Sequence, residues 1–199
     1  MAEERPAEGR RRVHPLVRVF VWLGLLSAVG AFIVIPGLVS SSRASNDRNA
    51  WASLRTLVSA QQDFRVNDRD GNGKADFWRA DVAGLYALAP SGPGSEIKLI
   101  EISIAGADAA PVVSAAAFTM KAPKAGYWYK ALSFADEDPA RPDPNRFAAC
   151  AYPTTAAAGR TAFLIDHRGV VYRRRWNGPS DTPLLFPADP RKEGWATAR

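Results

Sequence analysis

The sequence is poor in the residues that carry thiol and imidazole chemistry. Among 199 residues there is one cysteine, Cys150, and there are two histidines, His14 and His167. Zinc fingers, iron–sulfur clusters and disulfide frameworks all need more ligands or thiols than these residues supply. We therefore expect a fold without disulfides, and we expect no enzyme activity that depends on clustered cysteine or histidine.

Extreme composition is also absent. Hydrophobic residues make up 47% and charged residues 23% of the chain, which are ordinary values for a globular protein. Wholesale disorder and a multi-span transporter are both excluded on this basis. The net charge is +6, but basic and acidic residues are mixed beyond residue 42, so we expect no nucleic-acid partner.

A long uncharged run lies near the N-terminus, at residues 19–42. As a helix rising about 1.5 Å per residue, it is long enough for a hydrocarbon core of about 30 Å. Arginines are more numerous before the run than after it, which predicts a basic cytoplasmic N-terminus at 1–18. The run thus predicts a single-pass protein of a bacterial cytoplasmic membrane, with the bilayer as a partner and an extracytoplasmic C-terminal part. A signal peptide cleaved near Ala44 is the alternative, and it also exports the remainder.

An apolar stripe follows this run, at residues 43–66. Its members recur at the three- and four-residue spacing of an amphipathic helix. They are Ala50, Trp51, Leu54, Leu57, Val58 and Phe64. Because no strong helix breaker separates the stripe from the run, we expect one long helix from about Leu16 to Val66.

The later part of the chain shows the two-residue period of β-strands. The alternation covers residues 127–134, 146–152, 161–165 and 170–176, and the glycine of Asp166-His167-Arg168-Gly169 suits a hairpin turn. The sequence therefore predicts an α+β fold: a long N-terminal helix, membrane-spanning in its first half, packed on an antiparallel sheet of about four strands. The sheet and an irregular C-terminal tail, tied down by Leu184, Leu185, Phe186 and Trp195, belong to a head at 82–199.

A loop at 67–81 contains most of a calcium-binding motif. Asp68, Asp70, Asn72, Lys74 through its carbonyl, and Asp76 match the liganding spacing of an EF-hand loop. Alternate residues of such a turning loop point inward and offer the hard oxygen ligands that Ca2+ prefers. The motif predicts a weak, structural calcium site.

The twelfth position of the motif departs from the pattern. Arg79 stands where a bidentate acid is required, so Asp81 is the candidate substitute if the backbone bends. The alternative is a plain Asp/Asn/Gly turn that ends the long helix, with Asp76 capping a short helix at about 77–88. Both interpretations remain open at the level of sequence.

Several segments resemble one family. The run Ile35-Pro36-Gly37-Leu38 and the segment Asn49-Ala50-Trp51-Ala52-Ser53-Leu54-Arg55-Thr56-Leu57 resemble the N-terminal helix of type IV pilin-like proteins and type II secretion pseudopilins. The pieces at 126–129, 147–153 and 161–172 are similar to the sheet of uncharacterised bacterial pilin-like heads. The resemblance implies a long helix carrying a sheet on its outer half, and a role in a membrane-anchored or filamentous assembly.

The resemblance also has gaps. Aligned on Pro36, the family's glycine-phenylalanine processing site falls on His14 and Pro15, and its subunit-pairing glutamate falls on Val19. We therefore predict a non-enzymatic, pilin-like, membrane-anchored subunit that need not polymerise, with self-association or other pilin-like subunits as partners of its helix. The alternative is a secreted or anchored extracytoplasmic ligand-binding module with no assembly role.

Overall fold

A computed structural model of the chain describes residues 15–112 and 121–198, with side chains left aside for 15–19 and 21–39. The chain divides into two compact units, Met1–Ser41 and Ser42–Arg199. The helices of the described residues are α1 (Pro15–Val66), α2 (Gly84–Ala87) and α3 (Ile102–Ala105), and a 3-10 turn lies at Pro179–Asp181. The strands are β1 (Tyr127–Phe134), β2 (Ala148–Pro153), β3 (Thr161–Asp166), β4 (Val171–Arg175), β5 (Leu185–Phe186) and β6 (Ala196–Thr197).

Within the second unit, α1 presents one buried stripe. Its buried apolar residues recur every three or four positions, as a helix packed on one side requires. They are Ala50, Leu54, Leu57, Ala60 and Phe64. The helix ends where Asp68 adopts a left-handed conformation (φ 46°) and the Arg69 amide donates to the Phe64 carbonyl at 3.1 Å. The predicted calcium loop begins at this tight turn.

The sheet differs from the predicted one. In the described part of the chain it has six strands in the order β5-β1-β2-β3-β4-β6. The pair β1 and β5 is parallel, whereas the other pairs are antiparallel. The prediction of an antiparallel sheet of about four strands is therefore wrong, because the two-residue strands β5 and β6 are too short to show a two-residue period.

Both faces of this sheet are covered. The face toward α1 carries the odd-numbered side chains of β1, such as Tyr127 and Tyr129, together with Phe163 and Ile165 of β3. The opposite face carries a second cluster, which includes Leu132, Phe134, Ala148, Cys150, Ala162, Leu164 and Tyr172. Because alternate side chains of each strand enter different clusters, nearly every residue of β2 and β3 is buried.

The C-terminal tail covers the second face. Trp176, Phe186 and Trp195 are buried there against the even-numbered side chains of β1. Two of the tail residues predicted to tie it down, Leu184 and Leu185, are instead 73% and 50% exposed. The tail is therefore anchored mainly by aromatic side chains, which remove more apolar area from water than leucine does.

The membrane prediction is corrected by the structure. Among the residues that the structure describes, no helix combines the length and the apolar character needed to cross a bilayer. The predicted span at 19–42, the membrane-spanning half of the helix and the single-pass inner-membrane location are therefore wrong. Where its side chains are described from residue 40 onward, α1 alternates buried apolar positions with exposed polar ones, as a helix packed on a sheet does. The side chains of 21–39 and the basic segment 1–14 lie outside the described residues.

Candidate metal centre

The loop that follows α1 is fastened to the rest of the head at both ends. Arg65, in the last turn of α1, donates from its guanidinium to the Ala75 carbonyl of the loop at 2.9 Å and to the Asn145 side chain at 2.8 Å. At its end, the Phe77 amide donates to the Pro144 carbonyl at 3.0 Å. The loop therefore bridges the end of α1 and the connection between β1 and β2.

A two-way hydrogen bond fixes the residue just beyond the loop. The buried Gln61 amide of α1 donates to the Trp78 carbonyl at 2.5 Å and accepts from the Trp78 amide at 3.0 Å. The Trp78 ring packs on Phe64 with a centroid separation of 6.0 Å. Because the Gln61 amide pairs with both the N–H and the C=O of one residue, its two hydrogen bonds fix the backbone at the exit of the loop.

Within the loop, Asp68 supports the turn. Its two carboxylate oxygens accept hydrogen bonds from the Asn72 amide at 3.1 Å and the Gly73 amide at 3.0 Å. Gly73 has φ 75°, which a glycine adopts without the steric cost that a side chain would impose. An aspartate that bonds to its own backbone a few residues on is a standard way to hold such a turn.

Asn72 is the centre of the side-chain cluster. Its amide nitrogen donates to the Asp70 carboxylate at 2.8 Å and to the Asp76 carboxylate at 3.4 Å. Its side-chain oxygen accepts from the Lys74 amide at 2.7 Å. Burial, and the nearby charges of Asp76 and Asp68, raise the pKa of Asp70. Five of the six predicted ligands are therefore brought together in one loop.

The sixth predicted ligand lies elsewhere. Asp81 is 2% exposed and accepts hydrogen bonds from the Trp78 indole at 2.9 Å, the Gly84 amide at 2.8 Å and the Val112 amide at 2.6 Å. These contacts place its carboxylate at the start of α2 and not among the loop oxygens. The prediction that Asp81 replaces the acid of the twelfth position is not supported by this arrangement.

Arg79, at the twelfth position itself, has a different partner. Its guanidinium donates to both carboxylate oxygens of Glu137 and, at 2.7 Å, to the Asp143 carbonyl. The Asp143 amide donates to the same Glu137 carboxylate at 2.5 Å. The hydrogen bond from Arg79 lowers the pKa of Glu137. Arg79 thus fastens the end of the loop to the β1–β2 connection.

The oxygen atoms of the loop are of the type that binds a hard cation, but their present arrangement does not form a binding site. Carboxylate and amide oxygens are the ligands of Ca2+. Among the described residues, no three acidic, histidine or cysteine side chains are gathered closely enough to hold an ion. The Asn72 amide nitrogen lies between Asp70 and Asp76, where a cation would be attracted, so calcium binding would require this amide to turn its oxygen inward.

Sequence reasoning missed Glu137 and Asp143. Both lie in the connection between β1 and β2, at 58 and 64 residues from Arg79. No local pattern links an arginine to acids at that distance. The one signal in the sequence was Arg79 itself, at a position of the motif where an acid is expected. An arginine in such a place commonly forms an ion pair.

The residues with reactive side chains are placed away from this loop. Cys150 lies in the middle of β2 and is fully buried, and this burial raises the pKa of its thiol to about 12. His167 follows β3 in the hairpin turn, with its ring edge-on to Phe134 at 6.2 Å. The neighbouring Asp166 carboxylate is held by the backbone and guanidinium of Arg168, at 2.6 to 3.0 Å.

No protein-family model, curated protein or solved structure matches the chain. The resemblance to pilin-like proteins therefore stays a prediction from the sequence.

Proposed function

We propose that this chain is a non-enzymatic, pilin-like structural subunit, in which the N-terminal part of α1 mediates assembly and the second unit is the displayed head. The observation that carries this proposal is the packing of the second part of α1 on one face of the sheet. The sequence resemblance implies a helix whose second part carries the sheet of a head.

The head forms its core from its own residues. The buried apolar residues of the described side chains begin at Ala50 and all belong to the second unit. The tail closes the second face of the sheet with Trp176, Phe186 and Trp195. The core of the second unit is therefore built from residues of that unit among the described side chains.

The N-terminal part of the helix has the composition of an association surface. Residues 19–42 contain no charged side chain. An uncharged apolar helix in water gains about 25 cal/mol for each Å² of apolar area that it buries against a partner. Copies of the same segment, or related helices, are the partners that this composition fits best.

The placement of the reactive residues supports a non-enzymatic role. The Cys150 thiol is buried in β2, and its raised pKa of about 12 suppresses the nucleophilic thiolate. The carboxylate next to His167, that of Asp166, is engaged by Arg168 and so is not oriented toward the imidazole. A catalytic histidine generally needs such an orienting partner.

We propose the loop at 68–76 as a weak structural calcium site within this subunit. Asp68, Asp70, Asn72 and Asp76 would supply side-chain oxygens, and Lys74 its carbonyl. An ion bound there would neutralise the repulsion among carboxylates that contributes to the raised pKa of Asp70. Its role would be to strengthen the link between α1 and the head.

Assembly through the N-terminal helix can be tested by cysteine crosslinking of the full chain. Phe20 and Val66 are exposed residues of α1, at 72% and 76% exposure, and the only native cysteine is buried. We expect Phe20→Cys to form covalent dimers or higher species with a short bis-maleimide, and Val66→Cys to remain monomeric. Light scattering and electron microscopy of the unmodified chain would report the size of the assembly.

Two outcomes would contradict the proposal. Equal crosslinking of both variants would indicate association without a preferred segment, and a monomer in both variants would remove the assembly role. In the second case, the alternative of a ligand-binding module without an assembly role becomes the better explanation.

A further inference from the structure

A cavity opens between residues 47–51 of α1 and the sheet. The calcium-type loop follows the C-terminal end of the same helix. Its volume is about 310 Å³, at the lower limit for a small-molecule site. Three features of its lining matter: two arginines, an indole and one aspartate. The residues concerned are Arg48, Arg173, Trp51 and Asp47, and Thr161, Phe163 and Ala198 form the rest of the wall.

Arg173 of β4 lines the cavity from the α1 side of the sheet, and its side chain is exposed. It is directly opposite Phe163 in the antiparallel register, and Phe163 belongs to the cluster packed against α1. Residues opposite each other in an antiparallel pair share a face, so Arg173 lies on the α1 side of the sheet. The Arg173 side chain is exposed, as is that of Arg48, so both guanidinium groups are accessible to a ligand from solvent.

Neither arginine of the cavity has an acidic partner. Within residues 15–112 and 121–198, no carboxylate lies within 4.0 Å of the Arg48 or Arg173 guanidinium. The nearest acid of the lining, Asp47, accepts hydrogen bonds from the Tyr127 hydroxyl at 2.5 Å and the Thr161 hydroxyl at 2.8 Å. Among the described residues, the lining therefore holds two exposed arginines without an acidic partner and one aspartate that is already hydrogen-bonded.

The Trp51 side chain, which lines the cavity, carries an unpaired donor. Its Nε1 is buried and has no hydrogen-bond partner among the described residues. A buried N–H without a partner costs about 1 to 3 kcal/mol relative to a bonded one, and such groups are rare in folded proteins. The Arg55 guanidinium lies over the same ring, 5.1 Å from its centroid, which helps to fix the orientation of the indole.

We propose that this cavity binds a small organic carboxylate with a flat apolar body. Arg48 and Arg173 would hold the carboxylate, because guanidinium–carboxylate hydrogen bonds are strong and directional. Trp51 and Phe163 would contact the apolar body, and the indole N–H would find an acceptor on the ligand. This site is independent of the assembly role proposed above, since all its residues belong to the head.

The proposal can be tested with benzoate and its neutral isostere benzamide. Binding to the full chain would be measured by titration calorimetry and by ligand-observed NMR. We expect benzoate to bind at least tenfold more tightly than benzamide, because a charge-assisted hydrogen bond is worth about that factor or more. Arg173→Gln and Arg48→Gln should each weaken benzoate binding about tenfold.

Arg175→Gln is the matched control. Arg175 is exposed and lies two residues further along the same strand, on the same face, but it does not line the cavity. This variant should bind benzoate as the parent chain does. Trp51→Phe keeps an aromatic wall and removes the indole donor, so it should weaken binding several-fold in a chain that still folds.

Four outcomes would overturn the proposal. They are the absence of benzoate binding at about 10 mM, equal binding of benzoate and benzamide, equal losses in Arg173→Gln and Arg175→Gln, and binding of inorganic phosphate as tight as that of benzoate. The last would show that the guanidinium groups attract any anion without help from the aromatic wall. Circular dichroism of each variant would establish that the loss of binding is not a loss of fold.

Discussion

The Arg79 guanidinium forms a two-pronged ion pair with the Glu137 carboxylate. The two side chains are 17% and 6% exposed, so the pair is largely removed from water. Its hydrogen bonds continue through Asp143, whose carbonyl accepts from Arg79 and whose amide donates to Glu137. This small network joins the loop after α1 to the connection between β1 and β2.

Removal of one member of the pair should be costly. We expect Glu137→Gln to lower the free energy of unfolding by about 2 to 4 kcal/mol at pH 7, because Arg79 would keep a buried charge without a counterion. The control is Asp136→Asn, which breaks the neighbouring Arg146 pair. Those side chains are 28% and 45% exposed, so its cost should stay below about 1 kcal/mol. Urea unfolding would measure both, and equal losses would contradict the role given to Arg79.

The cost of Glu137→Gln should also depend on pH. The hydrogen bond from Arg79 lowers the pKa of Glu137 below its ordinary value of about 4.3. The stability gained from this carboxylate is therefore complete above that ordinary value and is lost as the pH falls through the lowered pKa. We expect the difference between the parent chain and Glu137→Gln to be constant from pH 6 to 8 and to shrink below about pH 4. A difference that grows in acid would contradict this assignment.

Calcium should stabilise the full chain if the loop binds it. We expect Ca2+ to raise the melting temperature and to change Trp78 fluorescence, with a midpoint between about 10^-4 and 10^-3 M. Asp70→Asn should abolish both responses. Asp63→Asn is the control, since Asp63 lies near the loop but pairs with Arg69. The absence of any response at about 10 mM Ca2+ would leave only the structural turn.

The hydroxyl of Tyr127 should contribute to the attachment of α1 to the sheet. It donates to Asp47 of α1 at 2.5 Å and also lies 2.9 Å from the Thr161 carbonyl, and the Tyr127 side chain is fully buried. We expect Tyr127→Phe to lower the free energy of unfolding by about 1 to 2 kcal/mol. Thr161→Val removes the other hydrogen bond to Asp47. Because both variants act on one carboxylate, their effects should be non-additive in a double-mutant cycle, and strict additivity would argue against a shared network.

Cys150 should be unreactive in the folded protein. The thiol is fully buried, and burial raises its pKa to about 12, so almost no thiolate exists at pH 8. We expect no alkylation by iodoacetamide under native conditions and complete alkylation in urea. The Val66→Cys variant provides the exposed reference on the same chain. Native labelling of Cys150 at the rate of the exposed cysteine would contradict its placement in β2.

The local patterns of the sequence predicted much of the described fold. The stripe from Ala50 to Phe64 and the alternation at 127–134 mark α1 and β1, because burial of one face imposes a fixed period on a helix or a strand. The Asp/Asn/Gly composition at 68–76 likewise marked a tight loop. The same local reasoning was wrong about the span at 19–42, since an uncharged run does not by itself decide what surrounds a helix.

Tertiary structure decided the contacts between distant segments. The parallel pairing of Ser133 with Leu185 and the ion pair of Arg79 with Glu137 join residues some 50 to 60 positions apart, and neither leaves a periodic trace in the sequence. The sequence alone determined which residues must be buried, through composition and period. Only the packed structure determined that the Asp81 carboxylate is bonded at the start of α2 and that Arg48, Trp51 and Arg173 line one cavity, because these placements depend on how whole elements pack together.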